Sequence, residues 1–80
     1  MCGFVGIYDP YATFSPSERV SIVKSMGKEL NHRGPDDSGN WGNQIFSISH
    51  RRLSILDVSK AGSQPMLSHC KRFVIAFNGE

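Results

Sequence analysis

A cysteine follows the initiator methionine directly, in the sequence Met1-Cys2-Gly3. Methionine before a small residue is the usual context for its removal, which would leave Cys2 at the N-terminus. Cys2 would then carry a thiol of ordinary pKa about 8.5 and an α-amine of about 7.7–8.0. The amine can activate the thiol as a nucleophile, directly or through a water. The alternative interpretation is a small buried apolar side chain near the start of a strand.

The pair Arg51-Arg52 comes directly before an apolar segment. A guanidinium at a strand edge presents a planar fork that matches a carboxylate. The alternative is a solvated basic pair beside a core strand. His50 belongs to the same cluster, and a lone histidine in such a position is more often structural than catalytic.

The segment Asn78-Gly79-Glu80 follows a predicted strand. A side-chain amide and a glycine N–H can together stabilise an oxyanion, and the Glu80 carboxylate can hold an ammonium group. The alternative is a hairpin turn, for which Asn-Gly is a strong signal. Together with Cys2 and Arg52, these groups predict a site for an amino-acid amide.

The elements that must position these groups are predicted as α+β, with a mostly antiparallel sheet and a helix on one face. Ser15, Pro16 and Glu18 form a helix start with a capping box. One apolar stripe follows, made of Val20, Val23, Met26 and Leu30. Strands are predicted over residues 3–8, 44–49, 53–57 and 72–77, with a loop over residues 31–39 and Trp41 in a turn.

Length and composition limit the class of protein. The 80 residues allow one small domain, and 39% hydrophobic with 20% charged residues is typical of a soluble chain. The net charge of +2 is spread along the sequence, which argues against nucleic acid as a partner. No apolar run or signal peptide indicates a membrane or secretion, so we expect a cytoplasmic protein with Cys2 and Cys70 reduced and no metal site.

Five ordered motifs make the chain resemble class II glutamine amidotransferases. They are Met1-Cys2-Gly3-Phe4-Val5-Gly6-Ile7, His32-Arg33-Gly34-Pro35-Asp36-Asp37-Ser38-Gly39, His50-Arg51-Arg52-Leu53-Ser54-Ile55-Leu56-Asp57, Ala61-Gly62-Ser63-Gln64-Pro65-Met66 and Phe77-Asn78-Gly79-Glu80. The second and third motifs single out the asparagine synthetase (glutamine-hydrolysing) branch. On this resemblance, residues 1–80 would be the N-terminal part of a glutaminase domain, cut from a longer protein.

The resemblance implies an N-terminal nucleophile hydrolase fold, an αββα sandwich of which only the first part is present. It implies that Cys2 attacks the side-chain amide of glutamine through a glutamyl thioester. Arg52 would bind the substrate α-carboxylate and Glu80 the amine. The backbone of Leu53, Ser54, Ile55 and Leu56 would line the pocket, and Asn78 with Gly79 would stabilise the oxyanion.

The resemblance also implies partners outside these 80 residues. Ammonia would pass to a C-terminal synthetase domain, where ATP and Mg²⁺ activate aspartate, and no cofactor is expected in this chain. We expect the 80-residue chain alone to be inactive as a glutaminase and to self-associate through its uncovered sheet. Two alternatives remain, an amidotransferase acting on another carboxylate and a non-catalytic interaction module.

Overall fold

The computed structural model describes residues 2–55 and 59–78, which form an α+β arrangement. The elements in chain order are β1 (Gly3–Tyr8), α1 (Pro16–Lys28), β2 (Asp37–Gly42), β3 (Phe46–Arg52), a 3₁₀ turn (Lys60–Gly62), β4 (Met66–Leu67) and β5 (Val74–Ile75). The predicted α+β class with antiparallel sheets is confirmed. The αββα sandwich of the N-terminal nucleophile hydrolases stays a prediction.

The larger sheet has the strand order β1-β3-β2, and both pairings are antiparallel. β3 is the central strand: Phe4 of β1 and Gly39 of β2 both lie opposite His50. Directly opposed residues share a face of the sheet. Alternate positions of β3 therefore point to opposite sides, with Ser47 and Ser49 on one side and His50 and Arg52 on the other.

The helix α1 covers the face of the sheet that carries Ser47 and Ser49. A Cβ atom placed on Gly27 would overlap the Ser49 hydroxyl, and one placed on Gly42 would lie 2.7 Å from the Ser47 Oγ atom. The glycines therefore let the helix and the β2 strand lie close to the central strand. The segment after residue 58 covers part of the opposite face.

The start of α1 is as predicted. The Ser15 side chain accepts a hydrogen bond from the Glu18 N–H at 3.2 Å, and the Glu18 carboxylate accepts one from the Ser15 N–H at 3.2 Å. Pro16 occupies the first helical position, where its missing N–H costs nothing. The reciprocal bonds satisfy two N–H groups that a helix end leaves without partners.

The buried side of α1 differs from the predicted apolar stripe, since its buried residues are Arg19, Val23 and Gly27 while Met26 is exposed. Arg19 is fully buried because its guanidinium donates to the Asp9 carboxylate at 3.3 Å. It also donates to three backbone carbonyls, those of Phe14, Asn43 and Gln44. The bond to Asp9 ties the helix to the segment after β1, and the bonds to Asn43 and Gln44 tie it to the β2–β3 connection.

Four strand predictions need correction. The strand expected over residues 44–49 is β3, Phe46–Arg52, which includes the Arg51-Arg52 pair. Residues 37–42 form β2 although residues 31–39 were expected to be a loop and Trp41 to lie in a turn. Residues 53–55 lie outside any strand, and the rest of the expected strand over residues 53–57 falls outside the described residues. The expected strand over residues 72–77 is reduced to Val74–Ile75. Pairing with β3 gives β2 its conformation despite its weak strand propensity.

Candidate active site

The Cys2 thiol lies against the backbone of Leu53, 51 residues along the chain. The Leu53 N–H donates to Cys2 Sγ at 3.4 Å, and Sγ lies 3.9 Å from the Leu53 carbonyl oxygen. Cys2 is 2% exposed. Phe4 and His50 are opposed across β1 and β3, so strand alternation brings Cys2 and Arg52 to the same face of the sheet.

The Asn78 side chain is the second group at Cys2. In the amide orientation that satisfies its surroundings, Nδ2 donates to the Cys2 carbonyl at 2.8 Å and Oδ1 accepts from Arg33 Nη2 at 3.1 Å. The amide therefore bridges the start of β1 and the segment after α1.

The segment that contains Arg33 packs against the end of β3. The Asp36 N–H donates to the Arg52 carbonyl at 3.0 Å, and the Ser54 N–H donates to the Asp36 carboxylate at 2.8 Å. A Cβ atom on Gly34 would overlap the backbone between Arg51 and Arg52. The second and third sequence motifs therefore pack directly against each other.

The Arg52 guanidinium is buried beneath the 3₁₀ turn. Its Nη1 donates to the Ser59 carbonyl at 2.6 Å, and a Cβ atom on Gly62 would lie 2.8 Å from Arg52 Cζ. The turn is held to β2 through Asp37, whose carboxylate accepts from the Ser63 hydroxyl at 2.5 Å and lies 3.6 Å from the Lys60 ammonium. The Ser63 hydrogen bond is the main cause that lowers the pKa of Asp37.

The structure therefore brings together Cys2, Leu53 and Asn78 among the predicted site residues. Arg52 lies on the same face as Cys2, while Ser54 is tied to Asp36 and the Ile55 side chain is exposed. Three predicted site residues fall outside the described residues: Leu56, Gly79 and Glu80. Their roles, like those of the other site residues, stay predictions.

Two buried side chains near the site, His50 and Gln64, had no role in the sequence-based site. Both contact Phe77, the residue before Asn78. His50 lies in the third of the five motifs and Gln64 in the fourth, and these positions are the sequence signal that could have pointed to them. Within residues 2–55 and 59–78, no group of three or more His, Cys, Asp or Glu side chains is placed to hold a metal ion. The same part of the chain contains no helix able to cross a bilayer.

Cys2 and Cys70 do not form a disulfide in this structure, and their surroundings differ. Cys70 is exposed in the β4–β5 turn, where the Ser68 hydroxyl lies 3.5 Å from its sulfur. The Ser68 hydroxyl and the Arg72 backbone lower the pKa of the Cys70 thiol, because both stabilise the thiolate.

Comparison with known proteins shows the family to which this chain belongs. The family model described as "Glutamine amidotransferase domain" matches residues 1–80. The chain belongs to this family.

The chain is similar to several glutamine-hydrolysing asparagine synthetases. It is 36% identical over 80 residues to asparagine synthetase [glutamine-hydrolyzing] 1 of Bacillus subtilis (strain 168), covering 100% of the chain and 12% of that protein. It is 36% identical over 83 residues to asparagine synthetase B [glutamine-hydrolyzing] of Escherichia coli (strain K12), covering 100% and 14%. A putative asparagine synthetase [glutamine-hydrolyzing] 2 of Methanocaldococcus jannaschii is 40% identical over 70 residues, covering 82% and 13%. The chain thus spans a small part of each relative, and the predicted family is confirmed.

Proposed function

We propose that the chain is the first part of a glutaminase domain in which Cys2 hydrolyses the side-chain amide of glutamine. The observation that carries the proposal is the meeting of three segments distant in sequence. The Cys2 thiol rests on the Leu53 backbone, and the Asn78 amide bonds to the Cys2 carbonyl. Family membership and the asparagine synthetases among its relatives support the same reaction.

In the proposed reaction, removal of Met1 frees the Cys2 α-amine as the base. The amine takes the thiol proton while sulfur bonds to the amide carbon of glutamine. The tetrahedral oxyanion forms beside the Asn78 amide and the Gly79 N–H, which stabilise its charge. The C–N bond then breaks, the proton passes to the leaving nitrogen, and ammonia departs. Water attacks the glutamyl thioester, which releases glutamate and restores the thiol.

Substrate binding is proposed to use both charged ends of glutamine. Arg52 would bind the α-carboxylate, because a guanidinium carries five N–H donors in a fixed fork. The Glu80 carboxylate would hold the α-ammonium group. The backbone of residues 53–56, that is Leu53, Ser54, Ile55 and Leu56, would line the pocket between them. The packing of the segment with Asp36 against the end of β3 supports a fixed backbone there.

The destination of the ammonia is proposed from the relatives. Their names assign them to asparagine synthesis, so we propose aspartate as the acceptor in a synthetase domain that uses ATP and Mg²⁺. This proposal is tested by asking which carboxylate the protein that contains the chain amidates. A preference for any acceptor other than aspartate would contradict it.

The nucleophile is tested in the protein that contains this chain, because the 80 residues alone are expected to be an incomplete glutaminase. The reagent is a glutamine analogue that carries an electrophilic diazoketone in place of the amide. We expect one adduct on Cys2 in the chain that has lost Met1, and none in Cys2→Ser. Cys70→Ser is the matched control, since it removes the exposed thiol and leaves the proposed site intact. Labelling of Cys70, or no adduct on either cysteine, would contradict the proposal. Intact mass and peptide mapping give the result.

A further inference from the structure

The backbone of Phe77 is held by two side chains instead of by a strand partner. The strand β5 ends at Ile75, two residues earlier. The Phe77 N–H donates to Gln64 Oε1 at 2.7 Å, and His50 Nε2 lies 3.1 Å from the Phe77 carbonyl oxygen. His50 is 0% and Gln64 7% exposed, so both side chains that hold Phe77 are buried, while Phe77 itself is 46% exposed.

The contact with Phe77 fixes the tautomer of His50. A carbonyl oxygen only accepts, so the proton of a neutral His50 ring is on Nε2. Among the described residues Nδ1 has no hydrogen-bond partner, although it is buried. The ring stacks on Phe4 with centroids 6.5 Å apart and planes 6° apart, which fixes its orientation. His50 also sits in the central strand, paired on both sides.

Gln64 reaches Phe77 because its own backbone lies directly on β2. A Cβ atom on Gly39 would overlap the Gln64 carbonyl oxygen. Gly39 is the residue opposite His50 in the sheet, so the two side chains that hold Phe77 start from neighbouring points. His50 reaches the Phe77 carbonyl from β3, and Gln64 reaches the Phe77 N–H from the segment that packs on β2.

We propose that His50 and Gln64 are positioning residues that set the Asn78 amide against Cys2. The Phe77 carbonyl belongs to the same rigid peptide plane as the Asn78 N–H, so holding that carbonyl orients the start of Asn78. The Asn78 side chain then reaches the Cys2 carbonyl at 2.8 Å. The inference rests on the proposed function and adds to it the residues that place the oxyanion donor.

Two substitutions of His50 separate hydrogen bonding from packing. His50→Gln keeps an amide N–H donor near the Nε2 position and loses the ring, while His50→Phe keeps the stacked ring and loses the donor. We expect His50→Phe to slow the maximal rate of Cys2 labelling by the diazoketone analogue about 10- to 100-fold, with its apparent affinity changed less than about threefold. His50→Gln should stay within about threefold of the unsubstituted chain.

A packing role predicts the opposite order, and that order would overturn the inference. Equal labelling of His50→Phe and the unsubstituted chain would overturn it too.

A second pair of measurements does not depend on glutamine chemistry. Nitrogen-15 spectra of the ring should show the Nε2–H tautomer, and Gln64→Met should speed hydrogen exchange of the Phe77 N–H about tenfold or more. The Nδ1–H tautomer or unchanged exchange would overturn the inference.

The two sets of results distinguish this inference from the proposed function. If the unsubstituted protein that contains the chain is not labelled at Cys2 while the ring and exchange results are as expected, the proposed reaction fails and the support of Phe77 stands. If Cys2 is labelled and His50→Phe reacts at the same rate, the positioning role fails and the proposed reaction stands.

Discussion

The two thiols of this chain differ in their exposure to solvent. Cys2 is buried on the Leu53 backbone, whereas Cys70 is exposed beside the Ser68 hydroxyl. A general alkylating agent reaches a thiol in proportion to its exposure and its thiolate fraction. A glutamine analogue must in addition be bound near the sulfur. The two kinds of reagent are therefore expected to select different cysteines.

At Cys70 we predict alkylation that begins at lower pH than for an ordinary cysteine. The Ser68 hydroxyl lowers the pKa of the thiol, because a hydrogen bond to the thiolate favours the charged form. Ser68→Ala should raise the midpoint of the rate against pH, and Ser17→Ala, at an exposed helix position, should leave it unchanged. The measurement is the rate of iodoacetamide modification of Cys70 by mass spectrometry. A midpoint unmoved by Ser68→Ala would contradict the assigned cause.

At the scale of elements, the close approach of α1 to β3 depends on the absence of a side chain at Gly27. A Cβ atom there would overlap the Ser49 hydroxyl and lie 3.0 Å from Ser49 Cβ. An alanine in a helix is favoured over glycine by about 1 kcal/mol, while overfilling a packed contact costs about 1–3 kcal/mol. The packing cost is expected to exceed the helix preference because Ser49 is itself buried.

We therefore predict that Gly27→Ala lowers the free energy of unfolding by about 1 kcal/mol. Ser49→Ala removes the hydroxyl nearest the new methyl group, so Gly27→Ala should be less destabilising in that background. The coupling in the double-mutant cycle should be about 1 kcal/mol. Urea denaturation of the unsubstituted chain, the two single variants and the double variant measures this coupling. A stabilising Gly27→Ala, or additive effects, would show that the contact is looser than the structure indicates.

Local signals explain which elements the sequence could predict. The capping box at Ser15 and the apolar run over residues 3–8 act within a few residues, so α1 and β1 were predicted correctly. β2 contains Ser38, Gly39 and Asn40, which do not favour strands, and it exists because β3 pairs with it. The burial of Arg19 was missed for a related reason, since its Asp9 and carbonyl partners come from other segments.

The same distinction applies to the site. Cys2, Arg52 and Asn78 could be proposed from motifs, because each residue type suggests its chemistry. Other features of the site are contacts between segments that are distant in sequence. Cys2 contacts the Leu53 backbone, and His50 and Gln64 hold the Phe77 backbone. Sequence spacing does not reveal which backbone groups lack strand partners. Side chains that satisfy such groups are therefore found only once the topology is known.

At the scale of the whole molecule, stability should depend on two aspartates with lowered pKa values. The Phe14 and Thr13 backbone N–H groups lower the pKa of Asp9, and the Ser63 hydroxyl lowers that of Asp37. A carboxyl whose folded pKa lies below its unfolded value stabilises the fold above the unfolded value, about 3.9. That contribution is lost as the pH falls through the lower, folded value.

We predict that the free energy of unfolding falls as the pH is lowered from about 5 to about 2. Asp37→Asn should be less stable at neutral pH and should show a shallower loss on acidification, because one of the two carboxyls no longer titrates. Urea midpoints across this range measure both effects. A stability that stays level or rises on acidification would contradict the assigned hydrogen bonds, and an unchanged slope in Asp37→Asn would exclude Asp37 as a contributor.

The exposed apolar surface of β4 and β5 should control how this chain behaves at high concentration. Its side chains surround an open cavity of about 290 Å³ and are Met66, Leu67, Phe73 and Ile75. Each strand has two residues, so the pair buries little of its own apolar area. Large exposed apolar patches favour association.

We predict that the 80-residue chain self-associates reversibly and releases no ammonia from glutamine above the rate of Cys2→Ser. Phe73→Ser should shift the sedimentation profile toward monomer, because Phe73 is 67% exposed within the patch. Tyr11→Ser is the matched control: Tyr11 is 91% exposed in the connection after β1, and its loss should leave the profile unchanged. A single monomeric species at all concentrations would contradict association through this surface.

The predicted absence of ammonia release is checked separately. Ammonia release that requires Cys2 would show that the residues present already form a complete glutaminase, and the apolar surface would then need another explanation.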